Sequence, residues 1–205
     1  MSIGSAAMIV IRNTLDLESL RRLDGLRGAT LRRMFGVNLD DRLMSEDVSL
    51  ETDDVTITFW GAVDDLDDWE GFEGQYAVLH IDEGVPSVYA ESDLAAQDDS
   101  SGSGFFVHAG DGIQDVSIVR ECVRKVVSGE VEWEYVTDTA VVFELSNGVL
   151  AISKAALDGE MLNITFADSW VLLKIPPTGA FWFGWNLMGT EFLRSSELCR
   201  LDDML

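Results

Sequence analysis

The sequence predicts a mainly β fold of the α+β class, built from antiparallel meander sheets with one or two helices. Three observations carry that expectation. Apolar and polar residues alternate over many short runs. Several of those runs are joined by two-residue turn signals, Asp53-Asp54, Ser128-Gly129 and Asn147-Gly148 among them. Apolar residues make up 47 % of the 205 residues, enough for a substantial core despite a net charge of −23.

The elements follow in chain order. Residues 6–11 are a short apolar run, read as a strand. Asn13 or Thr14 then caps a helix with Asp16 and Glu18 in its first turn, where the helix dipole favours acids. Leu17, Leu20 and either Leu23 or Leu26 form its apolar stripe, and Gly25 and Gly28 end it near Leu23. Residues 29–35 read as a strand. Val48, Leu50 and Thr52 alternate with polar residues before Asp53-Asp54, and Val55, Ile57 and Phe59 alternate after it, which predicts a hairpin. Residues 76–81 and 87–89 read as further strands.

In the second half, residues 104–109 are a short strand. Residues 116–127 fit either a strand or one helical face. Residues 131–135 and Val141, Phe143 and Leu145 alternate cleanly. Asn147-Gly148 is the strongest hairpin signal, since both positions tolerate positive φ. Residues 149–153 return, and Leu162, Ile164 and Phe166 add a strand. Pro176-Pro177 stops regular structure, and residues 190–205 fit a helix or a last strand.

Two pairs of segments suggest internal duplication. Leu31-Arg32-Arg33-Met34-Phe35 is similar to Val123-Arg124-Lys125-Val126-Val127, and the hairpin beginning at Leu50 is similar to the one beginning at Phe143. The corresponding domain reading has an N-terminal lobe at 1–91, a polar linker-like stretch at 92–104 and a C-terminal meander lobe at 105–205. The alternative is one continuous domain.

Charge is the strongest asymmetry. Residues 43–119 hold nineteen carboxylates and no lysine or arginine. The densest point is Asp64-Asp65-Leu66-Asp67-Asp68-Trp69-Glu70, followed by Glu73, read as a loop between Gly61 and Gly71 and Gly74. The arginines at 21, 22, 27, 32, 33 and 42 are the only dense basic group, and acids are interspersed among them. Direct nucleic-acid binding, which needs clustered lysine and arginine, is therefore not expected.

Catalytic equipment is sparse. His80 and His108 lie in apolar, strand-like contexts, which mark packed or edge residues. No His-Glu-x-x-His, Cys-x-x-Cys, Gly-x-Ser-x-Gly or phosphate-binding glycine loop is present. The aspartate run lacks the spacing of a helix–loop–helix calcium site. It is similar in spacing to the aspartate-rich motif of prenyl-chain enzymes, but it lacks the long helices that motif needs. Neither a metal nor a cofactor is expected, and the chain reads as non-enzymatic. Cys122 and Cys199 read as small buried residues in a reducing compartment. With no apolar run long enough to span a membrane and no secretion signal, the chain reads as cytoplasmic.

A strong negative field attracts a basic protein and speeds its docking. Asp64, Asp65, Asp67, Asp68, Trp69, Glu70 and Glu73 are the candidate partner-binding residues, with an aromatic ring among carboxylates suited to a lysine or arginine. Trp60, beside Phe59, reads as a core anchor. In charge and size alone the chain resembles the immunity proteins of bacterial toxin systems. That resemblance implies an inhibitor that occludes a basic partner such as a toxin or nuclease. Two other readings stand beside it. One is a DNA mimic whose carboxylates copy phosphate spacing. The other is a salt-adapted domain that binds a small molecule near the aromatic run at 181–185.

Overall fold

The computed structural model describes residues 8–36, 43–65, 75–84, 104–105, 109–155, 161–175 and 189–205, without the side chains at 63–65, 75–77 and 104–105. The N-terminal strands are β1 (Ile9–Asn13), β2 (Leu31–Phe35), β3 (Met44–Ser45), β4 (Asp47–Thr52), β5 (Thr56–Asp65) and β6 (Gln75–Glu83). Then come β7 (Gly104–Phe105), β8 (Ile113–Val127), β9 (Glu130–Leu145), β10 (Gly148–Lys154), β11 (Leu162–Ala167) and β12 (Thr190–Arg200). Helix α1 (Leu17–Asp24) follows β1, and a 3-10 turn, Leu201–Asp203, follows β12. The fold is thus mainly antiparallel β with a single α-helix among the described residues. No described helix is long and apolar enough to cross a membrane.

The strands form two sheets. The first has the order β6-β5-β4-β2-β7. The second runs β12-β8-β9-β10-β11-β3, with β1 lying parallel to the first half of β9. Each sheet is a four-strand meander whose next strand returns to pair with the first: β7 beside β2, and β12 beside β8. The two pairs of similar segments fall on equivalent strands, β2 with β8 and the β4–β5 hairpin with the β9–β10 hairpin.

One apolar core lies between the sheets. Leu31, Met34, Val48, Leu50, Ile57 and Phe59 of the first meet Val116, Ile118, Val141, Phe143, Leu150 and Ile152 of the second. The Phe59 and Phe143 rings touch edge to face, with centroids 5.9 Å apart. Leu20, Leu23 and Leu26 close the core from the helical side.

Several local expectations are corrected. Asp16, rather than Asn13 or Thr14, caps α1, because its carboxylate accepts from the Ser19 amide at 2.8 Å. Leu17 is exposed, so the buried stripe is Leu20, Leu23 and Leu26. The ambiguous stretch at 116–127 is strand, and the two alternating runs after it are one strand, β9. β-Bulges at Val119/Arg120 and Lys125/Val126 interrupt the β8–β9 register and let both strands run long. Ser128-Gly129 makes the expected tight turn, both residues at positive φ. The next turn is Ser146-Asn147, not Asn147-Gly148, since Leu145 pairs with Gly148. Asn147 donates to Asp111 and the Ser146 hydroxyl accepts from the Gly112 amide, which fixes that register. Residues 190–200 are strand. Cys122 and Cys199 are free and half-buried rather than fully enclosed, and burial pushes both thiols up.

Candidate functional site

Of the predicted acidic site, the described part is the pair Asp64 and Asp65. Asp64 and Asp65, expected in a loop, belong to the end of β5, where they pair with Tyr76 and Gln75 of β6. The alternation of β5 carries the strand into the aspartates because backbone pairing is indifferent to side-chain charge. Asp67, Asp68, Trp69, Glu70 and Glu73 lie outside the described residues, as do His108, residues 87–89, most of the linker-like stretch and the aromatic run at 181–185.

Four register positions from Asp64, the same hairpin carries an aromatic pair. Trp60 and His80 are opposite one another, and their rings stack with centroids 4.1 Å apart and planes 17° from parallel. The Trp60 indole N–H donates to Asp82 at 2.8 Å. Trp60 is half-buried and absent from the main core, which corrects its reading as a core anchor: Phe59 points inward, and strand alternation sends Trp60 out.

Helix α1 lies against β6, an outermost strand of the first sheet among the described residues, and an open cleft of about 280 Å³ is lined by residues of both. Asn13, Asp16, Arg22, Trp60, His80 and Asp82 contribute to its walls. Arg22 crosses it, donating to the Ile81 carbonyl at 2.6 Å and pairing with Glu18 at 2.5 Å and Asp82 at 3.4 Å. The bond from the Ser19 amide holds the Asp16 carboxyl below its ordinary range. An aromatic face beside carboxylates suits a cationic or planar group.

A second cluster is buried in the other sheet, where β1 leaves β9 and β10 ends. Asp138 is 2 % exposed. It accepts two bonds from Arg120, at 2.7 and 3.0 Å, and one from the Leu15 amide at 2.8 Å. Glu121 is equally buried and lies 2.5 Å from Arg194. Lys154, also buried, donates to the Thr137 hydroxyl at 2.7 Å. Burial pushes its ammonium down to about 7, against the upward pull of Asp138 and Glu121.

The sequence offered little sign of this cluster. Lys154 is one of three lysines in the chain, but nothing local says that a strand-end lysine is enclosed. Three members of the dense arginine group, Arg22, Arg27 and Arg33, are likewise engaged by the protein's own acids. Arg27 meets Asp24, Asp115 and Asp202, and Arg33 meets Glu51. Among the described residues, no group of three His, Cys, Asp or Glu side chains is placed to hold a metal ion. No protein-family model matches the chain, and no curated protein or solved structure is detectably similar to it.

Proposed function

We propose that this chain is a non-enzymatic cytoplasmic binding protein that neutralises a basic protein partner by covering it, in the manner of an immunity protein. The carrying observation is the distribution of charge along the chain, together with the internal pairing of its bases. Residues 43–119 supply nineteen acids and no base, while Arg22, Arg27, Arg33, Arg120, Arg124, Lys125 and Arg194 all pair with carboxylates of the same chain. Much of the positive charge is therefore answered internally, and the excess that remains to a partner is negative. The register of β5 and β6 supports an acidic contact at this hairpin, since Asp64 and Asp65 stand at its paired end and Asp67, Asp68, Trp69, Glu70 and Glu73 follow them in sequence. The Trp60–His80 stack beside Asp82 extends that contact along the hairpin.

The test is inhibition of basic nuclease domains by the purified chain at low and moderate salt, beside an Asp64→Asn, Asp65→Asn, Asp67→Asn, Asp68→Asn variant. Inhibition that weakens with salt and disappears in the variant is the expected result. Equal inhibition by both proteins removes the hairpin as the recognition surface. Absence of binding to every basic protein tried removes the reading itself.

A further inference from the structure

β12 is the outermost strand of its sheet, and among the described residues no strand pairs with its other side. It runs for eleven residues, and its pairing with β8 from Thr190↔Val127 to Arg200↔Ser117 has no break in register. An edge of this kind presents a row of backbone N–H and C=O groups. Soluble proteins usually blunt such edges with charged side chains, lysine above all, with inward-pointing charges, proline, a bulge or short length, and in β12 charge is the one device present. The strand Thr190–Arg200 has no lysine, proline or glycine and no bulge. Arg194 turns inward to Glu121, and Arg200 stands at the strand's last position. Leu193 and Leu198 are 45 % and 51 % exposed.

The charges on one face of this sheet alternate from strand to strand. Glu197 of β12 is opposite Arg120 of β8, and Arg120 is opposite Asp138 of β9. Four residues along, Leu193 is opposite Arg124, which pairs with Glu134 at 2.6 Å. Read outward, the first of these rungs runs acid, base, acid and stops at β12. Glu191, Leu193, Ser195 and Glu197 share that face by strand alternation. Together they present acid, apolar, hydroxyl and acid to whatever lies beyond. The strand that continues the pattern carries a base at each end and an apolar residue opposite Leu193. A second copy of this chain is a poor occupant, since each copy carries a net charge of −23.

We propose that the outer edge of β12 docks an extended basic segment of a protein partner as the next strand of the sheet, with lysine or arginine opposite Glu191 and Glu197. Main-chain hydrogen bonds supply affinity in this mode, and alternate side chains supply specificity. The inference rests on the reading of the partner as a basic protein and gives that partner a second point of contact, on the other sheet from the β5–β6 hairpin.

The experiment uses the full chain and three synthetic peptides. The first alternates lysine, valine and serine to match the edge. The second has the same composition with the lysine spacing broken. The third repeats the first with alternate backbone amides methylated, which removes strand pairing and keeps the charge. Two protein variants are compared with the parent: Glu191→Lys with Glu197→Lys, and the fourfold Asp→Asn variant at 64, 65, 67 and 68. Both variants remove four units of net negative charge, so the bulk field is matched and only its location differs.

The matched peptide is expected to bind the parent. Affinity should drop about tenfold or more on amide methylation, on respacing and in the β12 variant, with little change in the fourfold variant. Loss confined to the fourfold variant, with methylation tolerated, overturns the edge and leaves the basic-partner reading intact. Failure of the matched peptide to bind overturns the edge, while inhibition of basic nuclease domains continues to judge the partner reading. A dimer in sedimentation that disappears in the β12 variant also overturns the proposal, because the occupant is then a second copy.

Discussion

In the first sheet Arg33 of β2 faces Glu51 of β4 at 2.5 Å; in the second Arg120 of β8 faces Asp138 of β9 at 2.7 Å. The two rungs have the same chemistry and equivalent places in meanders of the same strand order. They differ in surroundings. The Arg33–Glu51 side chains are 38 % and 34 % exposed, whereas the Asp138 side chain is 1 % exposed and Arg120 21 %. Water screens the first pair and replaces it readily when it breaks. The second is locked in by the bulge in β8–β9 and by the Leu15 amide, so neither partner has a ready substitute. Sheet order is therefore a poor guide to energetic weight; enclosure decides it.

The sharpest way to break this comparison is Asp138→Ala. It strands Arg120 and the Leu15 amide in a buried site, with an expected loss of about 3–5 kcal/mol in urea unfolding. A loss below 1 kcal/mol would mean that solvent reaches the site and that the two rungs are alike after all.

The next effect is one of pH. The folded pKa of Lys154 lies near 7, below the ordinary lysine value near 10.4. Between those values the unfolded chain binds more protons than the folded one. Stability therefore rises with pH from about 7 to about 10.4, by up to about 1.4 kcal/mol per pH unit. Lys154→Met should remove that rise in thermal or urea unfolding. The first sheet offers no counterpart among its described residues, so an unchanged slope in the variant would erase this difference between the sheets.

Asp16→Ala probes the helix that bridges them. Loss of the cap should cost about 1 kcal/mol. The folded carboxyl sits below its ordinary value, so its contribution is present above the unfolded pKa, near 3.9, and fades as the pH falls through the folded one. Equal stability of variant and parent at pH 7 would show that the Ser19 bond adds nothing. The smallest effect belongs to Glu51→Gln, at most about 1 kcal/mol and diminishing with salt. A loss as large as that of Asp138→Ala would contradict the argument from exposure.

Much of the fold was legible in the chain. The hairpin at Asp53-Asp54, the turn at Ser128-Gly129 and the strands around Phe143 and Ile164 follow from alternation and turn chemistry, which are local. The turn after β9 was placed one residue late because Asp111, thirty-odd residues upstream, holds Asn147 by its side chain. Of the candidate site, the position of Asp64 and Asp65 on a hairpin was within reach of the sequence, since the period-two pattern of β5 points into the aspartates. The Trp60–His80–Asp82 arrangement was not, because it depends on which residues of β5 and β6 come opposite one another.

What the sequence determined by itself is the β-rich class, the meander, the presence of the first helix though not its cap, and the concentration of acid in residues 43–119. Each depends on neighbours a few residues apart or on composition alone. Only the tertiary structure decided which charges are enclosed and which face solvent. Arg33 and Arg120 look alike in the chain, and so do Lys125 and Lys154. Nor could the chain say that β12 ends its sheet among the described residues, with an acid on the last rung. Burial and edge position are properties of contacts between distant strands, and a local pattern carries no record of them.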